Sequence, residues 1–326
     1  SDPAAHLSST IFTNSNILRE DFKELTLCKR DYITLDMQQL SSGLPTITFN
    51  GSSGDIIDII YGESCINNTP APIHPTQGRK TDSIILTNCE TTWICHSPRT
   101  FRYITIHARE LQQDCIISNP AIHIIQAFNE TQSNFSSNDE ILNNIYTTSI
   151  RTLNNCYSYI FSNSPSQENC QYIHDSFVMG ATCISSLGQY DSSKKALIEF
   201  TLSQYENGEI PVISPSETIV DSPEHPLHWV KWLQKYLLYT DDHDILDQCL
   251  PALTKLLDHY NAQKHHKYYA LANRDYNFQT NPDSYEIHTV LNALYCRALH
   301  SAAWIFEYAE LPADASKASS RASKIT

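Results

Sequence analysis

The chain has 326 residues, of which 41% are hydrophobic and 18% are charged, and its formal net charge is -14 at pH 7. This composition excludes a wholly disordered chain, and no apolar run approaches the ~18 residues that a membrane-spanning helix needs. The acidic balance disfavours nucleic acids and anionic membranes as partners, because both are negatively charged. The length favours two domains.

Cysteine and histidine spacing gives no sign of a metal centre. The ten cysteines include no C-x-x-C pair, so they predict no zinc site and leave the redox compartment open. His225 and His228 precede the acidic run 241–244, but the spacing fits neither H-E-x-x-H nor an EF-hand, and we predict no metal. The first residues lack the basic and apolar segments of a signal peptide, so we expect none in this stretch, and the localisation stays unknown.

Residues 1–128 predict an antiparallel β-sandwich. Short β-branched runs recur there between polar turns, which is typical of strands in such a domain. The runs are 44–49, 55–61, 83–87, 101–107 and 121–125.

Residues 129–326 have the periodicity of helices. Ser137 and Glu140 have the spacing of a capping box, which predicts the start of the first helix. Further helices are predicted over about 174–188, 192–206, 225–240, from Asp242 onwards with a kink at Pro251, and over about 284–309. Asn207-Gly208 is predicted to close the third helix, and the chain after Leu311 is rich in Ala and Ser, without a predicted element.

The succession of helical hairpins fits a helix bundle, a helical solenoid or an α/α toroid. Periodicity alone does not choose among these three, because each one buries the same kind of apolar stripe.

One polar loop between helical segments, residues 163–175, holds two carboxylates, Glu168 and Asp175. Glycoside hydrolysis needs one carboxyl group to protonate the leaving oxygen and a second to act on water or on the sugar. The loop is therefore a candidate active site, and the alternative is a solvated acidic connection, which is the usual state of acidic loop residues.

Several separate stretches, taken in order, resemble the bacterial α-L-rhamnosidases. They cover residues 45–326, and each motif is loose, but their number and order carry the resemblance. The stretches are 58–63, 99–104, 135–146, the loop 163–175, Trp229 with Tyr236 and 240–242, 273–275 and 286–295.

This resemblance implies an accessory β-sandwich followed by an (α/α)6 barrel, which is incomplete in this chain. It also implies inverting hydrolysis of terminal α-L-rhamnosides with no obligatory organic cofactor, and a rhamnose-containing glycan as partner. The family's active-site loop reads D-C-P-x-R-E-R-x-x-W-x-G-D. Laid on this chain, its proton donor falls on Glu168, its first Asp on Asn163 and its last Asp on Asp175.

The resemblance also places Trp229 and Asp275 at the substrate. For each of these residues the sequence leaves an alternative open: Asp175 could cap the following helix, Trp229 could belong to the core, and Asp275 could be a turn residue.

Four of the positions at which the loop departs from the family pattern bear on sugar binding or on the electrostatics of the site. The first Asp is Asn163, the two Arg are Gln167 and Asn169, and the Trp is Tyr172. Gln and Asn cannot replace the fixed donor fork of Arg, so sugar binding and the electrostatics around Glu168 are both altered.

The chain contains only about half of the helices of the barrel, and no residue matches the family's general base. We therefore expect the chain to be inactive alone and to act as a rhamnosidase-like hydrolase only if the rest of the barrel is supplied. The alternative is a non-catalytic glycan-binding or protein-interaction module on a degenerate glycosidase scaffold. In either case a half-barrel is expected to leave apolar helix faces exposed for an oligomer or a protein partner.

Overall fold

The computed structural model describes residues 24–66, 69–70, 81–87, 89–124, 128, 134–165, 170–220, 222–263, 271 and 289–325. These residues form two compact units. The first contains the described residues up to 124 together with Ser164 and Pro165, and the second contains residues 128–163 and those from 170 onwards. Each unit has a hydrophobic core of its own.

The described part of the first unit is built from nine β-strands. They are β1 (Glu24–Leu27), β2 (Tyr32–Asn50), β3 (Ile56–Gly62), β4 (Cys65–Ile66), β5 (Thr69–Pro70), β6 (Thr81–Ile85), β7 (Glu90–Ile94), β8 (Arg99–Glu110) and β9 (Cys115–Ile124). Seven of them form one antiparallel sheet in the order β1-β9-β2-β8-β3-β6, with β7 also paired to β2, and β4 pairs with β5 separately.

The long strand β2 holds this sheet together because it changes partners along its length. Its first part pairs with β8, and its second part pairs with β9 on one side and β7 on the other. Buried side chains from both parts, such as Ile33 and Phe49, belong to one core. The prediction of an antiparallel β-domain is confirmed, with hydrogen bonds running through all seven strands of one sheet.

Two strands of this sheet, the first half of β2 and the first half of β9 lie outside the predicted runs. β1 and β7 have only four and five residues, and the first half of β2 contains consecutive polar residues, Gln38-Gln39 and Ser41-Ser42, that interrupt the alternation. Such segments form strands because their neighbours supply hydrogen bonds, which a local pattern does not reveal.

The second unit is helical. Its described helices are α1 (Glu140–Asn155), α2 (Ile173–Leu187), α3 (Asp191–Leu202), α4 (His225–Thr240), α5 (Asp244–Gln263), α6 (Thr289–Tyr308) and α7 (Pro312–Ala322). The prediction of helical hairpins after the β-domain is confirmed. The predicted start of the helix over about 284–309 lies outside the described residues.

Alternate helices pack side by side. α2 packs on α4 and α4 packs on α6, while α3 packs on α5 and α7 packs on α6. This is the arrangement of successive hairpins in two layers, with α2, α4 and α6 as one row.

Close packing of α2 on α4 depends on Gly180. A Cβ atom at this position would lie 2.6 Å from Ser193 Oγ and 2.8 Å from Cζ2 of Trp232. The Trp232 side chain is fully buried, and its ring lies against Phe161 and Phe200, with centroids 6.2 and 6.5 Å away. The absence of a side chain at Gly180 therefore leaves space for the Trp232 indole between α2 and α4.

Two helix ends differ from the predictions. The N-cap of α1 is Asp139, whose side chain accepts a hydrogen bond from the Ile141 amide, so the predicted capping box from Ser137 is wrong. Helix α3 ends at Leu202, and the predicted C-cap at Asn207-Gly208 is wrong, although Gly208 does adopt a left-handed φ of 92° in the turn that follows. Each predicted cap lies a few residues from the observed helix end, in the adjoining loop, where residues of the capping type also occur.

Two further features concern the last helices. Helix α5 continues through Pro251. Helix α7 was not predicted, and it buries Ala315, Ala318 and Ala322 on one face. Alanine adds little to a hydrophobic pattern, but it allows close approach to a neighbouring helix, here α6.

No helix in the described parts of the chain has both the length and the hydropathy needed to cross a membrane.

Candidate active site

The two ends of the loop 163–175 lie close together in the second unit. Asn163 Nδ2 donates to Asp175 Oδ2 over 3.3 Å. Asp175 lies in the first turn of α2, where a carboxylate is stabilised by the helix dipole. The N-cap of α2 is Tyr172, without a side-chain capping bond, so Asp175 does not serve as the N-cap.

Gln171, near the end of this loop, is buried and forms hydrogen bonds to segments that precede and follow the loop in sequence. Its side-chain oxygen accepts from the Phe161 amide over 3.1 Å, and its Nε2 donates to the Ser214 carbonyl over 2.9 Å and to Glu199 over 3.1 Å. The Ile173 amide also donates to the Val212 carbonyl. One amide side chain thus ties the segment before the loop to the start of α2, a role that no sequence motif indicated.

The predicted proton donor, Glu168, lies outside the described residues, as does Asp275. Their roles as general acid and as substrate ligand stay predictions. Asn163 is exposed and Asp175 is half-buried, so both side chains that border the loop are accessible to a ligand.

Trp229 is the predicted site residue whose environment differs from the expectation. Its side chain is 0% exposed, and its indole Nε1 donates to the Leu197 carbonyl over 3.2 Å. A ring enclosed in the core cannot stack on a sugar, so the substrate-binding role expected for Trp229 is not met, and the core alternative holds. The reason is that α4 packs on α3, whose Leu197 carbonyl accepts from the indole.

Close to Asp175, side chains from α2, α4 and α6 form a cluster of four basic side chains: His174, His225, His228 and Arg297. The rings of His174 and His228 have centroids 4.3 Å apart, and those of His174 and His225 are 6.0 Å apart. Arg297 Nη2 lies 3.1 Å from Nδ1 of His228. We call these four residues the basic cluster.

The histidines on α4 are held neutral by their surroundings. Burial, followed by the nearby His174, Arg297 and His225, lowers the pKa of His228 to about 3. The pKa of His225 is also lowered, first by burial and second by His174. Asp175 and Glu224 act in the opposite direction, but they do not outweigh these two effects. Both imidazoles are therefore uncharged at neutral pH, and because Nδ1 of His228 accepts from Arg297, its proton lies on Nε2.

The geometry gives no sign of a metal centre. Among the described residues, no three His, Cys, Asp or Glu side chains are placed so that they could hold a metal ion. In the basic cluster, Nδ1 of His228 is already occupied by Arg297. What the cluster offers a ligand is N–H donors, beside one carboxylate at Asp175.

Comparison with known proteins assigns the helical unit to a family. Residues 130–326, well over half of the chain, match the bacterial alpha-L-rhamnosidase 6 hairpin glycosidase domain. No curated protein sequence matches the chain.

Solved structures share the fold. The rhamnosidase of family GH78 from Bacillus sp. GL1 is similar with a TM-score of 0.81 and 20% identity over 90% of this chain and 31% of that chain. The rhamnosidase from Klebsiella oxytoca with rhamnose bound has a TM-score of 0.78 and 14% identity over 92% and 62%.

A third structure, the alpha-L-rhamnosidase of Streptomyces avermitilis complexed with L-rhamnose, has a TM-score of 0.69 and 16% identity over 93% of this chain and 30% of that chain. This chain thus spans less than two thirds of the length of each of these three structures. The order of a β-domain followed by helical hairpins and the match of residues 130–326 both fit this family. The chain belongs to the bacterial α-L-rhamnosidase family of six-hairpin glycosidases.

Proposed function

We propose that this chain is part of a glycoside hydrolase that removes terminal α-L-rhamnosyl groups with inversion at the anomeric carbon. The observation that carries the proposal is the contact of Asn163 with Asp175, which closes the loop containing Glu168 in a member of a rhamnosidase family. Two similar structures contain rhamnose, which supports a carbohydrate as the ligand here as well.

In this mechanism Glu168 donates a proton to the glycosidic oxygen as the bond to the anomeric carbon breaks. A second carboxylate takes a proton from a water molecule that attacks the opposite face of the sugar. The two carboxyl groups of an inverting enzyme are about 6.5 to 9.5 Å apart, which leaves room for that water. Asp175 and Asn163 would bind sugar hydroxyl groups, because their side chains border the loop and are accessible.

The second carboxylate is the component that this sequence does not identify. We therefore expect turnover only where the six-hairpin domain is complete, and no turnover by the 326-residue chain alone. An incomplete site can still bind a sugar, because binding and proton transfer depend on different groups.

The test is hydrolysis of an aryl α-L-rhamnoside by a protein in which this chain is joined to the rest of a six-hairpin domain. Replacement Glu168→Gln should lower kcat/KM at least about a hundredfold, the usual contribution of general acid catalysis. The matched control is Glu217→Gln, which removes an exposed loop carboxylate in the same unit. An unchanged rate in the Glu168 variant would remove this residue from the mechanism.

One observation favours a second candidate, a non-catalytic interaction module. Helix α1 exposes Ile141, Leu142 and Ile145, with 69%, 47% and 57% of their surfaces accessible. Three large apolar side chains on successive turns of one helix form a surface suited to another protein or to a second copy of this chain.

Light scattering after size exclusion would distinguish the two candidates when combined with a glycan-binding measurement. Self-association that is lost in Ile141→Ser/Ile145→Ser, together with an absence of sugar binding, would support the interaction module. A monomer that binds L-rhamnose would support the hydrolase.

A further inference from the structure

We propose that the basic cluster binds an oxyanion substituent of an acidic glycan, either a uronate carboxylate or a sulfate ester. This inference rests on the proposed carbohydrate-binding function and adds the chemical class of the glycan. Its four residues come from three helices that pack side by side, His174 from α2, His225 and His228 from α4, and Arg297 from α6. The site is thus a product of helix packing rather than of one helix end.

Arg297 is the main argument for an anionic ligand. The arginines 99, 102, 109 and 321 each form an ion pair with an aspartate. Arg297, in contrast, has no carboxylate partner in the described parts of the chain, and its one polar contact is with His228. Among the described residues, therefore, no carboxylate neutralises this guanidinium, although the chain has 36 acidic and only 22 basic residues other than histidine.

Partial desolvation of the guanidinium makes this isolation costly when no ligand is bound. Desolvation lowers the pKa of Arg297, yet a guanidinium stays protonated in proteins, so the charge persists. Arg presents its N–H groups as a planar fork that matches the two oxygens of a carboxylate or sulfate. Nη2 contacts His228, and no acceptor in the described parts of the chain occupies the other N–H groups, which could therefore bind such a ligand.

The histidines supply further donors. His228 is neutral with its proton on Nε2, and Nδ1 of His225 is buried without a hydrogen-bond partner among the described residues. Burial, His174, Arg297 and His225 all lower the pKa of His228, and no carboxylate acts against them. An oxyanion would offset this positive field and accept from these N–H groups.

One carboxylate borders the cluster and has to be taken into account. Asp175 Oδ1 lies 3.8 Å from Nδ1 of His174, and its other oxygen accepts from Asn163. It makes no ion pair with Arg297. A sugar whose hydroxyl groups bind Asp175 and Asn163 would therefore present a neighbouring acidic group to Arg297 and His228, which are accessible and half-buried, respectively.

The experiment is a calorimetric titration of the protein with three disaccharides. The first joins L-rhamnose to D-glucuronic acid, the second joins L-rhamnose to D-glucose, and the third carries a sulfate ester in place of the carboxylate. We expect an acidic disaccharide to bind at least about tenfold more tightly than the neutral one, as a charge-assisted hydrogen bond would give. Whichever acidic probe binds more tightly identifies the natural oxyanion.

Substitution tests the role of Arg297. Arg297→Gln should remove the preference for the acidic sugar while leaving binding of the neutral sugar within about twofold, and Arg297→Lys should keep part of the preference. The matched control, Lys317→Gln on α7, removes an exposed cation elsewhere in the unit and should keep it in full. Arg297 is exposed, so these variants are expected to fold, which a thermal melt would check.

Equal affinity for the acidic and neutral disaccharides would overturn the inference while leaving the proposed function in place. A preference retained in Arg297→Gln would overturn it as well. If no disaccharide binds, both the inference and the proposed carbohydrate-binding function fail.

Discussion

Helices α1 and α4 both have 16 residues and an amphipathic pattern, but they differ almost completely in burial. Helix α4 buries eight of its residues, including Trp229 and Trp232. Helix α1 buries Leu153 alone, and leaves Ile141 and Ile145 more than half exposed. An apolar stripe therefore specifies where a neighbour should pack, but it does not show that the neighbour is present.

The cause of this difference is the position of each helix in the row of hairpins. Helix α4 lies between α2 and α6, which cover it on two sides. Among the described residues, the contacts of α1 include a hydrogen bond from Tyr146 to the Ser186 carbonyl and a stacked pair of Tyr146 with Phe135. In the described parts of the chain, the apolar face with Ile141 and Ile145 is left uncovered.

The largest effect is expected in the middle of α4. Trp232→Ala removes a fully buried indole that touches Phe161 and Phe200, and should lower the free energy of unfolding by about 3 to 5 kcal/mol. Urea denaturation followed by circular dichroism would measure this loss. A loss below about 1 kcal/mol would mean that the helical unit is not the cooperatively packed core described above.

The next effect concerns the polar end of α4. Asp242 accepts from Tyr236 over 2.7 Å and pairs with Lys194 over 2.6 Å, which joins α4 to α3, and it also accepts from the Asp244 amide. Asp242→Ala should cost about 1.5 to 3 kcal/mol at pH 7, the range for hydrogen bonds to a charged group. Unfolding experiments with Asp247→Ala, an exposed acid on α5, provide the control.

The same carboxylate makes this contribution dependent on pH. Burial alone would raise the pKa of Asp242, but Lys194 and Tyr236 outweigh it and hold the pKa below its usual value of 3.8. A depressed folded pKa stabilises the protein above the unfolded value and loses that contribution as the pH falls through the folded pKa. The difference in stability between wild type and Asp242→Ala should therefore shrink below about pH 4. A difference that stays constant down to pH 2 would contradict the role of the ion pair.

A smaller loss is expected at Gly180 on α2. Alanine there gains up to about 1 kcal/mol in helix propensity, but its Cβ would lie within 3 Å of Trp232 and Ser193, and overpacking costs about 1 to 3 kcal/mol. We expect a net loss of about 1 kcal/mol in Gly180→Ala, seen as a lower denaturation midpoint. Stabilisation, as for a glycine on an exposed helix, would show that α2 and α4 are not in close contact.

The smallest effect on stability is expected on α1. Ile145→Ser should change the free energy of unfolding by less than about 0.5 kcal/mol, because the side chain is already 57% exposed. The same variant should decrease self-association, measured by light scattering over a range of concentrations. A loss above about 2 kcal/mol would mean that this face of α1 is buried in solution, which would remove the contrast with α4.

Much of the fold follows from local pattern. The helices α2 and α4 begin within a residue of their predicted positions, since apolar spacing and polar loops mark them clearly. The short strand β7 and the alanine-rich helix α7 were missed, because their formation depends on neighbours and small residues carry little pattern.

The candidate site was predictable only in part. A motif pointed to the loop and its carboxylates, and the structure adds a hydrogen bond between Asn163 and Asp175, while their role at a sugar stays a prediction. The burial of Trp229 and the anchoring by Gln171 were not predictable, because the sequence around each residue is the same whether the neighbouring helix covers it or not.

The sequence by itself determined the order of a β-rich and a helical part, the position of the acidic loop and the resemblance to a glycosidase family, because each depends on spacing within a short stretch. Only the tertiary structure decided that Trp229 belongs to the core, that α1 keeps its apolar face exposed, and that His174, His228 and Arg297 meet. Those three residues are separated by up to 123 positions, and their contact depends on how α2, α4 and α6 pack side by side, which no local period encodes.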